Sequence, residues 1–306
     1  MWPRAAEGTR RTAALAAVLL LVVARAYAQG AGDQGAADRG LVGVHIATAA
    51  DTLPDIAIAN DLGFVELIAA NRRVDPWLPT AGTRIVLPME HLLPDAPHRG
   101  IVINLPDQRL YYFPPKGPMR SFPIGVAAEG VTFRTGVTRI VAKREHPTWY
   151  PPPSIRAEDP GAPLSVPPGP DNPLGDFALY TAWTDIVIHG TNRIYGIGRR
   201  VSHGCFRLYP NDIKELFRLV PIGTPVTVVD QPAKAGWIDG RFYLEVHPTL
   251  DQADDLVDHG SFTPEPVAGL ERLVFDAAEP HSQEIDWQAV ERVARERTGI
   301  PTPVLK

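Results

Sequence analysis

Cysteine is almost missing from this sequence: its 306 residues contain one, Cys205. A single cysteine excludes an internal disulfide, and its position far from the N-terminus excludes a lipid-bearing cysteine beside an export signal. In an exported protein, which the N-terminus indicates, a lone thiol is open to oxidation. We therefore expect Cys205 to be present for its chemistry, the alternative being a small buried thiol with a packing role.

The sequence also has no excess of positive charge. Lys and Arg number 30 against 35 Asp and Glu, so the formal net charge is −5, which argues against a nucleic-acid-binding protein. Proline and glycine are by contrast abundant, at 32 and 26 residues. Because proline interrupts helices, this composition favours a turn-rich chain in which long helices do not dominate.

The N-terminus is typical of an export signal. Arg4, Arg10 and Arg11 precede an apolar run over residues 13–24, which is short for a membrane span, and Ala26-Tyr27-Ala28 follows as a cleavage site. We predict a signal peptide at 1–28, a periplasmic location, and a polar linker at 29–40. An uncleaved anchor is the alternative.

Residues 41–89 predict a small domain of strand, helix, helix and strand. "LVGVHIA" alternates as a strand does, "DTLPDIAIAND" and "FVELIAANR" keep helical spacing, and "GTRIVLP" closes with a second strand. The segment resembles the LysM family through "DTLPDIA" and "LGFVELIAANRRVDPWLPTAGTRIVLP". The resemblance implies binding of peptidoglycan glycan strands.

By the same resemblance, Thr52, Leu53, Val74 and Trp77 would lie at the glycan groove. Pro54 departs from the family, which often has a small polar residue there. The alternative is that Thr52 only caps a helix and that Trp77 only fills the core.

Residues 99–230 predict a mostly β domain. Short apolar strands alternate with glycine and proline turns, which is typical of a sandwich or barrel, and one helix follows the cysteine with Asn211 or Asp212 as its cap. Residues 231–306 predict a small α+β appendage packed on this domain. It begins with a hairpin at Asp239-Gly240, and its acidic segment at 251–260 is interpreted as solvated surface.

Two histidines accompany the cysteine in "VIHGTNRIYGIGRRVSHGCFRLYP", residues 187–210. A free thiol has a pKa of about 8.5, and an imidazolium beside it would lower that value and produce the nucleophilic thiolate. His203 is two residues away, and His189 ends a predicted strand before a glycine-rich segment that can fold back. A metal site of His189, His203 and Cys205 is the less favoured alternative, because the spacing is not that of paired metal ligands.

The residues next to the thiol suit acyl transfer. Gly204 permits a sharp turn and a close approach of backbone N–H groups to a developing oxyanion. Arg207 can hold a carboxylate with two hydrogen bonds, and Ser202 can fix the turn.

"IHGTNRIYGIGRRVSHGCFRLYPNDIKELF" resembles the active-site signature of the L,D-transpeptidase (YkuD-type) catalytic domain. Further agreement extends from "IVINLPDQRLYYFP" through "FPIGV" and "PTWYPPPSI" to "GTPVTVV", whereas "GVTFRTG" departs from the usual turn. The resemblance implies a mostly β fold: a β-sandwich catalytic domain with a capping helix, preceded by the βααβ LysM domain and followed by the α+β appendage.

The resemblance also implies roles for single residues. Cys205 would attack a peptidoglycan stem tetrapeptide and release D-alanine, with His189 as general base oriented by Gly190. His203, Gly204 and Cys205 would shape the oxyanion hole. Arg207 would hold substrate and Ser202 would support the turn.

No metal or organic cofactor is implied. The acceptor is left open between a second stem peptide, a lysine of an outer-membrane lipoprotein, and water. The last would make the protein an L,D-carboxypeptidase or hydrolase, and a non-catalytic wall-binding scaffold is the alternative from another class.

Overall fold

A computed structural model of the protein describes residues 41–128, 134–202 and 204–306. The predicted signal peptide at 1–28, the linker at 29–40, and His203 lie outside the described residues. No helix within the described ranges is both long enough and apolar enough to cross a membrane.

The N-terminal unit has the order strand, helix, helix, strand. Its elements are β1 (Val42–Ile46), α1 (Leu53–Ala59), α2 (Phe64–Ala70) and β2 (Arg84–Pro88), and the two strands pair antiparallel. Thr52 caps α1, because its hydroxyl accepts a hydrogen bond from the N–H of Asp55 at 3.2 Å. The apolar faces of both helices pack on the strand pair and form a core of their own.

The central unit is built around one large sheet. Its strands are β3 (Gly100–Asn104), β4 (Arg109–Phe113), β5 (Arg120–Pro123), β7 (Gly136–Glu145), β8 (Phe177–Thr181), β9 (Val187–His189), β11 (Phe206–Arg207) and β12 (Pro225–Val229). Their order in the sheet is β11-β9-β8-β7-β12-β3-β4-β5. The short strands β6 (Val126–Ala127) and β10 (Arg200–Ser202) pair in parallel beside it. Helices α3 (Pro153–Glu158) and α4 (Pro210–Leu219) complete the unit.

The large sheet curls until its two edges meet. Gly125 follows the edge strand β5, Arg207 belongs to the opposite edge strand β11, and their N–H and C=O groups exchange two hydrogen bonds of 2.9 Å. The core fills the inside of the curl, and α4 covers it with Ile213 and Leu216. The mostly β prediction is confirmed, and the sandwich-like layering arises from a single sheet.

One predicted helix cap is wrong. Helix α4 begins at Pro210, so Asn211 and Asp212 lie within its first turn. Asp212 faces Asp61 of the N-terminal unit, and burial together with this second carboxyl raises the pKa of Asp212 to about 8. Asp212 is therefore protonated at neutral pH and belongs to the contact between the two units.

The C-terminal segment is an α+β unit. It contains β13 (Ala233–Ile238), β14 (Arg241–Val246), α5 (Leu250–His259), α6 (Leu270–Ala277), α7 (Trp287–Glu296) and β15 (Thr302–Pro303). The turn between β13 and β14 has positive φ at Asp239 (47°) and Gly240 (76°), as a two-residue hairpin requires. Leu256 of α5 is part of the N-terminal core and Leu250 packs against the core of the central unit, so this segment contacts both.

A buried cluster of charged side chains joins the three units. Arg109 of β4 contacts both oxygens of Glu66 in α2, at 3.0 and 2.9 Å. Lys234 of β13 lies 2.8 Å from Asp107 and 2.7 Å from Glu245. Burial by itself would raise the pKa of Glu66, but the nearby cations outweigh it and lower that pKa to about 2. The pair is charged at neutral pH and ties α2 to the sheet.

Removal of one partner from this cluster should be costly. We expect Glu66→Gln to lower the free energy of unfolding by about 3–5 kcal/mol, because Arg109 would remain buried without its counter-charge. Urea unfolding measures the change. Glu291→Gln on the exposed side of α7 is the control and should stay within about 0.5 kcal/mol of the parent. Equal stability of the two variants would contradict a role for the Glu66–Arg109 pair.

Candidate active site

The register between β9 and β11 brings the predicted nucleophile and base onto one face of the sheet. These strands are parallel, with Phe206 opposite Ile188 and Arg207 opposite His189. Phe206 and Ile188 point into the core. Side chains alternate along a strand, so His189, Arg207 and Cys205 lie on the opposite face. Strand spacing and rise place the Cα atoms of Cys205 and His189 roughly 8 Å apart.

His189 is held by main-chain carbonyls. Its ring Nδ1 lies 2.5 Å from the carbonyl oxygen of Gly190, and the side chain is only 4% exposed. Burial lowers the pKa of His189 to about 4, Arg207 acts in the same direction, and the carbonyls of Gly190 and Leu174 act against it. With Nδ1 as the donor to Gly190, the imidazole is neutral at pH 7 and its Nε2 can accept a proton.

The thiol is neutral too, contrary to the lowered pKa expected from the sequence. The Sγ atom lies 4.0 Å from the carbonyl oxygen of Asp185. Burial raises the pKa of Cys205, which the N–H of Val187 and the Arg207 guanidinium oppose without overcoming it. A buried neutral imidazole cannot supply the positive charge that a resting thiolate needs. The resting pair is therefore thiol and imidazole.

The turn before the thiol is fixed by Ser202 and Gly204. The hydroxyl of Ser202 donates to the carbonyl oxygen of Cys205 at 2.6 Å, and its side chain is buried. Gly204 has a φ of +116°, a conformation that strongly favours glycine. His203 lies outside the described residues, so its predicted place in the oxyanion hole stays a prediction.

Arg207 combines a fixed backbone with a charged, half-buried side chain. Its Nε is buried and has no hydrogen-bond partner among the described residues. Burial lowers the pKa of its guanidinium, and the nearby Arg193 acts in the same direction. A half-buried cation in this state favours an anionic ligand.

The segment between base and nucleophile, residues 190–202, is clamped by the N-terminal unit. We call it the connecting segment. The N–H groups of Phe64 and Val65, at the start of α2, donate to the carbonyl oxygens of Ile197 and Gly198 at 3.2 and 3.0 Å. Gly198 has a φ of +72°, and a methyl group there would lie 2.2 Å from the Phe64 nitrogen.

Two arginines extend the clamp. Arg199 stacks over the Phe64 ring at 3.7 Å and also faces Trp77 at 5.7 Å. Arg200 pairs with Asp251 at 3.0 Å and Asp254 at 2.6 Å, both in α5. The acidic segment at 251–260, interpreted from the sequence as solvated surface, thus holds the connecting segment from the C-terminal side.

The four residues predicted at the glycan groove differ in accessibility. Trp77 is 56% exposed, so it is not a core residue. Thr52 is half-buried and is hydrogen-bonded to Asp55, and Val74 packs against the N-terminal core. Leu53 is completely buried, which limits any part it plays to shaping the groove.

One group of side chains in the described part of the chain has the spacing of a metal site. Ligand atoms of His91, Glu245 and His247 lie within 4.8 Å of one another. The Lys234 ammonium, however, is already 2.7 Å from Oε1 of Glu245. This cation neutralises the carboxylate that a metal would need, so the group fits the structural cluster of the fold.

Residues 98–228 match the L,D-transpeptidase catalytic domain, YkuD. The chain is 39% identical over 249 residues to the probable L,D-transpeptidase ErfK/SrfK of Escherichia coli, covering 79% of this chain and 78% of that protein. It is also 39% identical to the E. coli probable L,D-transpeptidase YcfS, over 83% of this chain and 80% of the relative. The chain belongs to the L,D-transpeptidase family and is an enzyme of the transferase class.

Solved L,D-transpeptidases show a weaker overall likeness. The Enterococcus faecium enzyme has 23% identity and a TM-score of 0.34, over 50% of this chain and 56% of that one. The Mycobacterium smegmatis enzyme has 17% identity and a TM-score of 0.33, over 50% and 71%. The family assignment depends on the sequence relatives.

The neutral resting pair predicts a particular pH dependence. We expect alkylation of Cys205 by iodoacetamide to be slow at neutral pH and to accelerate only at a higher pH than for an ordinary thiol, because burial raises the pKa of Cys205. Enzymatic acylation should fall only as the pH approaches about 4, where His189 takes up a proton. Ultraviolet absorbance of the thiolate, with Cys205→Ser as blank, measures the ionisation. A thiolate titrating below about pH 7 would contradict the neutral pair.

The clamp on the connecting segment predicts a loss of activity in Gly198→Ala. The added methyl group must displace α2, and we expect acylation of Cys205 to slow by about 10- to 100-fold because the segment is no longer positioned. Gly223→Ala is the matched control, because Gly223 has a φ of +92° but no atom within 4 Å of the added methyl. It shares the backbone strain, costs about 1 kcal/mol of stability, and should keep the parent rate. Equal rates in the two variants would show that the contact does not position the segment.

Proposed function

We propose that this L,D-transpeptidase uses Cys205 as nucleophile and His189 as general base on the stem tetrapeptides of peptidoglycan. The observation that carries the proposal is the parallel pairing of β9 and β11, which presents both side chains on one face of the sheet. Three supporting features are the fixed imidazole, the tight turn at Gly204 and the Arg207 guanidinium, whose buried Nε has no hydrogen-bond partner among the described residues.

In the acylation step, Nε2 of His189 takes the proton from Sγ as the sulfur attacks the carbonyl carbon of the third stem residue. The carbonyl oxygen becomes an oxyanion, for which His203, Gly204 and Cys205 are the proposed backbone donors. Collapse of this intermediate breaks the C–N bond, and the leaving D-alanine amine takes the proton from His189. A thioester on Cys205 remains.

In the second step an amine attacks the thioester. Its proton passes to His189, the C–S bond breaks, and the sulfur recovers the proton as thiol. Gly190 orients the base through its carbonyl oxygen, and Ser202 holds the turn through the carbonyl of Cys205. Arg207 holds a substrate carboxylate. Thiol, imidazole and amide groups supply every proton and charge in this scheme, so it uses no metal or organic cofactor.

The N-terminal unit, residues 41–89, is proposed to be a LysM domain that binds glycan strands. A glycan-binding domain attached to an acyltransferase raises the local concentration of stem peptides on an insoluble polymer. Its exposed Trp77 and the half-buried Thr52 are consistent with contact to a sugar. Delivery by the predicted signal peptide would place residues 99–230, the catalytic domain, and 231–306, the appendage, in the periplasm with that polymer.

The acceptor decides between related reactions. A stem-peptide amine gives a 3→3 cross-link, and a lysine of an outer-membrane lipoprotein gives an anchored protein. Water gives a carboxypeptidase or hydrolase. A non-catalytic scaffold is disfavoured by the shared face of Cys205 and His189.

Product analysis tests the reaction. The mature protein is incubated with disaccharide-tetrapeptide, with and without a lipoprotein C-terminal peptide, and the products are read by mass spectrometry. Dimers lacking one D-alanine indicate cross-linking, peptide adducts indicate anchoring, and tripeptide alone indicates hydrolysis. We expect Cys205→Ala to abolish all products and His189→Gln to slow acylation by about 100- to 10,000-fold.

His259→Gln, at an exposed position of α5, is the control and should keep the parent rate. Products formed by Cys205→Ala would refute the assigned nucleophile. Unchanged substrate with the parent protein would favour the scaffold.

A further inference from the structure

A row of four side chains crosses the face of the sheet that carries the thiol. Arg144 of β7 is paired with Ala178 of β8, Ala178 with His189, and His189 with Arg207. Residues paired across neighbouring strands point to the same side of a sheet. Arg144 therefore shares the face of the proposed base and lies at the far end of its row.

A second row runs parallel to the first, two residues along the strands. It contains Ala142, Tyr180 and Val187, paired in that order, and it reaches β11 at the level of Cys205. Leu179, which alternates with these residues, points into the core on the other side. Tyr180 thus stands on the site face between β7 and the thiol.

Two alanines lie on this face between the arginine and the histidine. Ala142, which is half-buried, and Ala178, which is buried, carry only a methyl group each, so no long side chain of these two strands stands between Arg144 and His189. Three strand spacings place the Cα atoms of Arg144 and Arg207 roughly 14 Å apart. An extended peptide of about four residues spans that distance at roughly 3.4 Å per residue.

The electrostatics of Tyr180 agree with this layout. Burial raises the pKa of its phenol, Arg144 lowers that pKa, and Cys205 raises it further, so both groups are near the phenol oxygen. The phenol is protonated at neutral pH and can donate a hydrogen bond. Arg144 is exposed.

We propose that Arg144 and Tyr180 form a second anion subsite, which binds a carboxylate on the acyl side of the donor stem peptide. The inference rests on the proposed function and adds to it the recognition of the donor. Arg207 is two residues from the nucleophile and suits the carboxylate of the departing residue. Arg144 lies three strands from Cys205 and suits a carboxylate on the second stem residue, which stays in the acyl-enzyme.

In this subsite the guanidinium of Arg144 and the hydroxyl of Tyr180 would bind the same carboxylate. A planar guanidinium can donate two parallel hydrogen bonds to one carboxylate, and a phenol O–H can add a third. A carboxamide at the same position of the donor would lose the charge and half of the acceptor oxygens. The subsite is thus expected to distinguish a free carboxylate from its amide.

The test compares two donors that differ only at the second stem residue. One disaccharide-tetrapeptide carries the free carboxylate and the other the carboxamide, and formation of the Cys205 thioester is followed by intact-protein mass. We expect Arg144→Gln to lower kcat/KM for the carboxylate donor by about 10- to 100-fold, mainly through KM. The same variant should change kcat/KM for the carboxamide donor less than about 3-fold. Tyr180→Phe should show the same selectivity with a smaller loss of about 3- to 10-fold.

Arg218→Gln is the matched control, because Arg218 is exposed on α4 at the other side of the sheet, and it should leave both donors unaffected. Equal losses on both donors in Arg144→Gln, or no loss on either, would overturn the subsite. Absence of thioester with the parent protein and both donors would instead overturn the proposed function. Thermal unfolding of each variant separates these results from loss of the fold.

Discussion

The parallel pairing of β9 with β11 is the constraint on which the site depends. It sets His189 level with Arg207 and leaves Cys205 two residues behind, on the same face. A shift of one residue in this register would turn the thiol, or the imidazole, into the core. The side chains of Ile188 and Phe206 oppose such a shift, because each is completely buried on the other face. Packing on the core face of the sheet therefore determines which reactive side chains lie together on the opposite face.

The three units of the chain converge on the segment that separates base from nucleophile. The N-terminal unit contacts it through the main chain of Phe64 and Val65, and the C-terminal unit contacts it through two carboxylates of α5. Behind these contacts, the buried pair of Glu66 and Arg109 fixes the N-terminal unit to the sheet. The proposed glycan-binding unit is thus part of the structural support of the active site, and its role is not limited to that of a tether.

The sequence predicted the mostly β class and the return of His189 towards Cys205, because strand patterns, glycines and the signature around the thiol are local features. It did not predict the pKa directions, since burial of both groups depends on distant segments that cover them. The pairing of Arg200 with Asp251 and Asp254 was also missed. A run of acidic residues has the same composition whether it faces water or a guanidinium, and only the tertiary structure distinguishes the two cases.

The seam that closes the sheet has a consequence for how ligands are accommodated. The main chain of Arg207 is bonded to Gly125 on one side, and its neighbour Leu208 donates to the carbonyl of His189 on the other. The backbone at this position has no freedom left to follow a ligand. Residues 190–202 are held from both sides as well, so adaptation to peptides of different bulk has to come from rotamers of the arginine side chain, and the main chain around the thiol stays rigid.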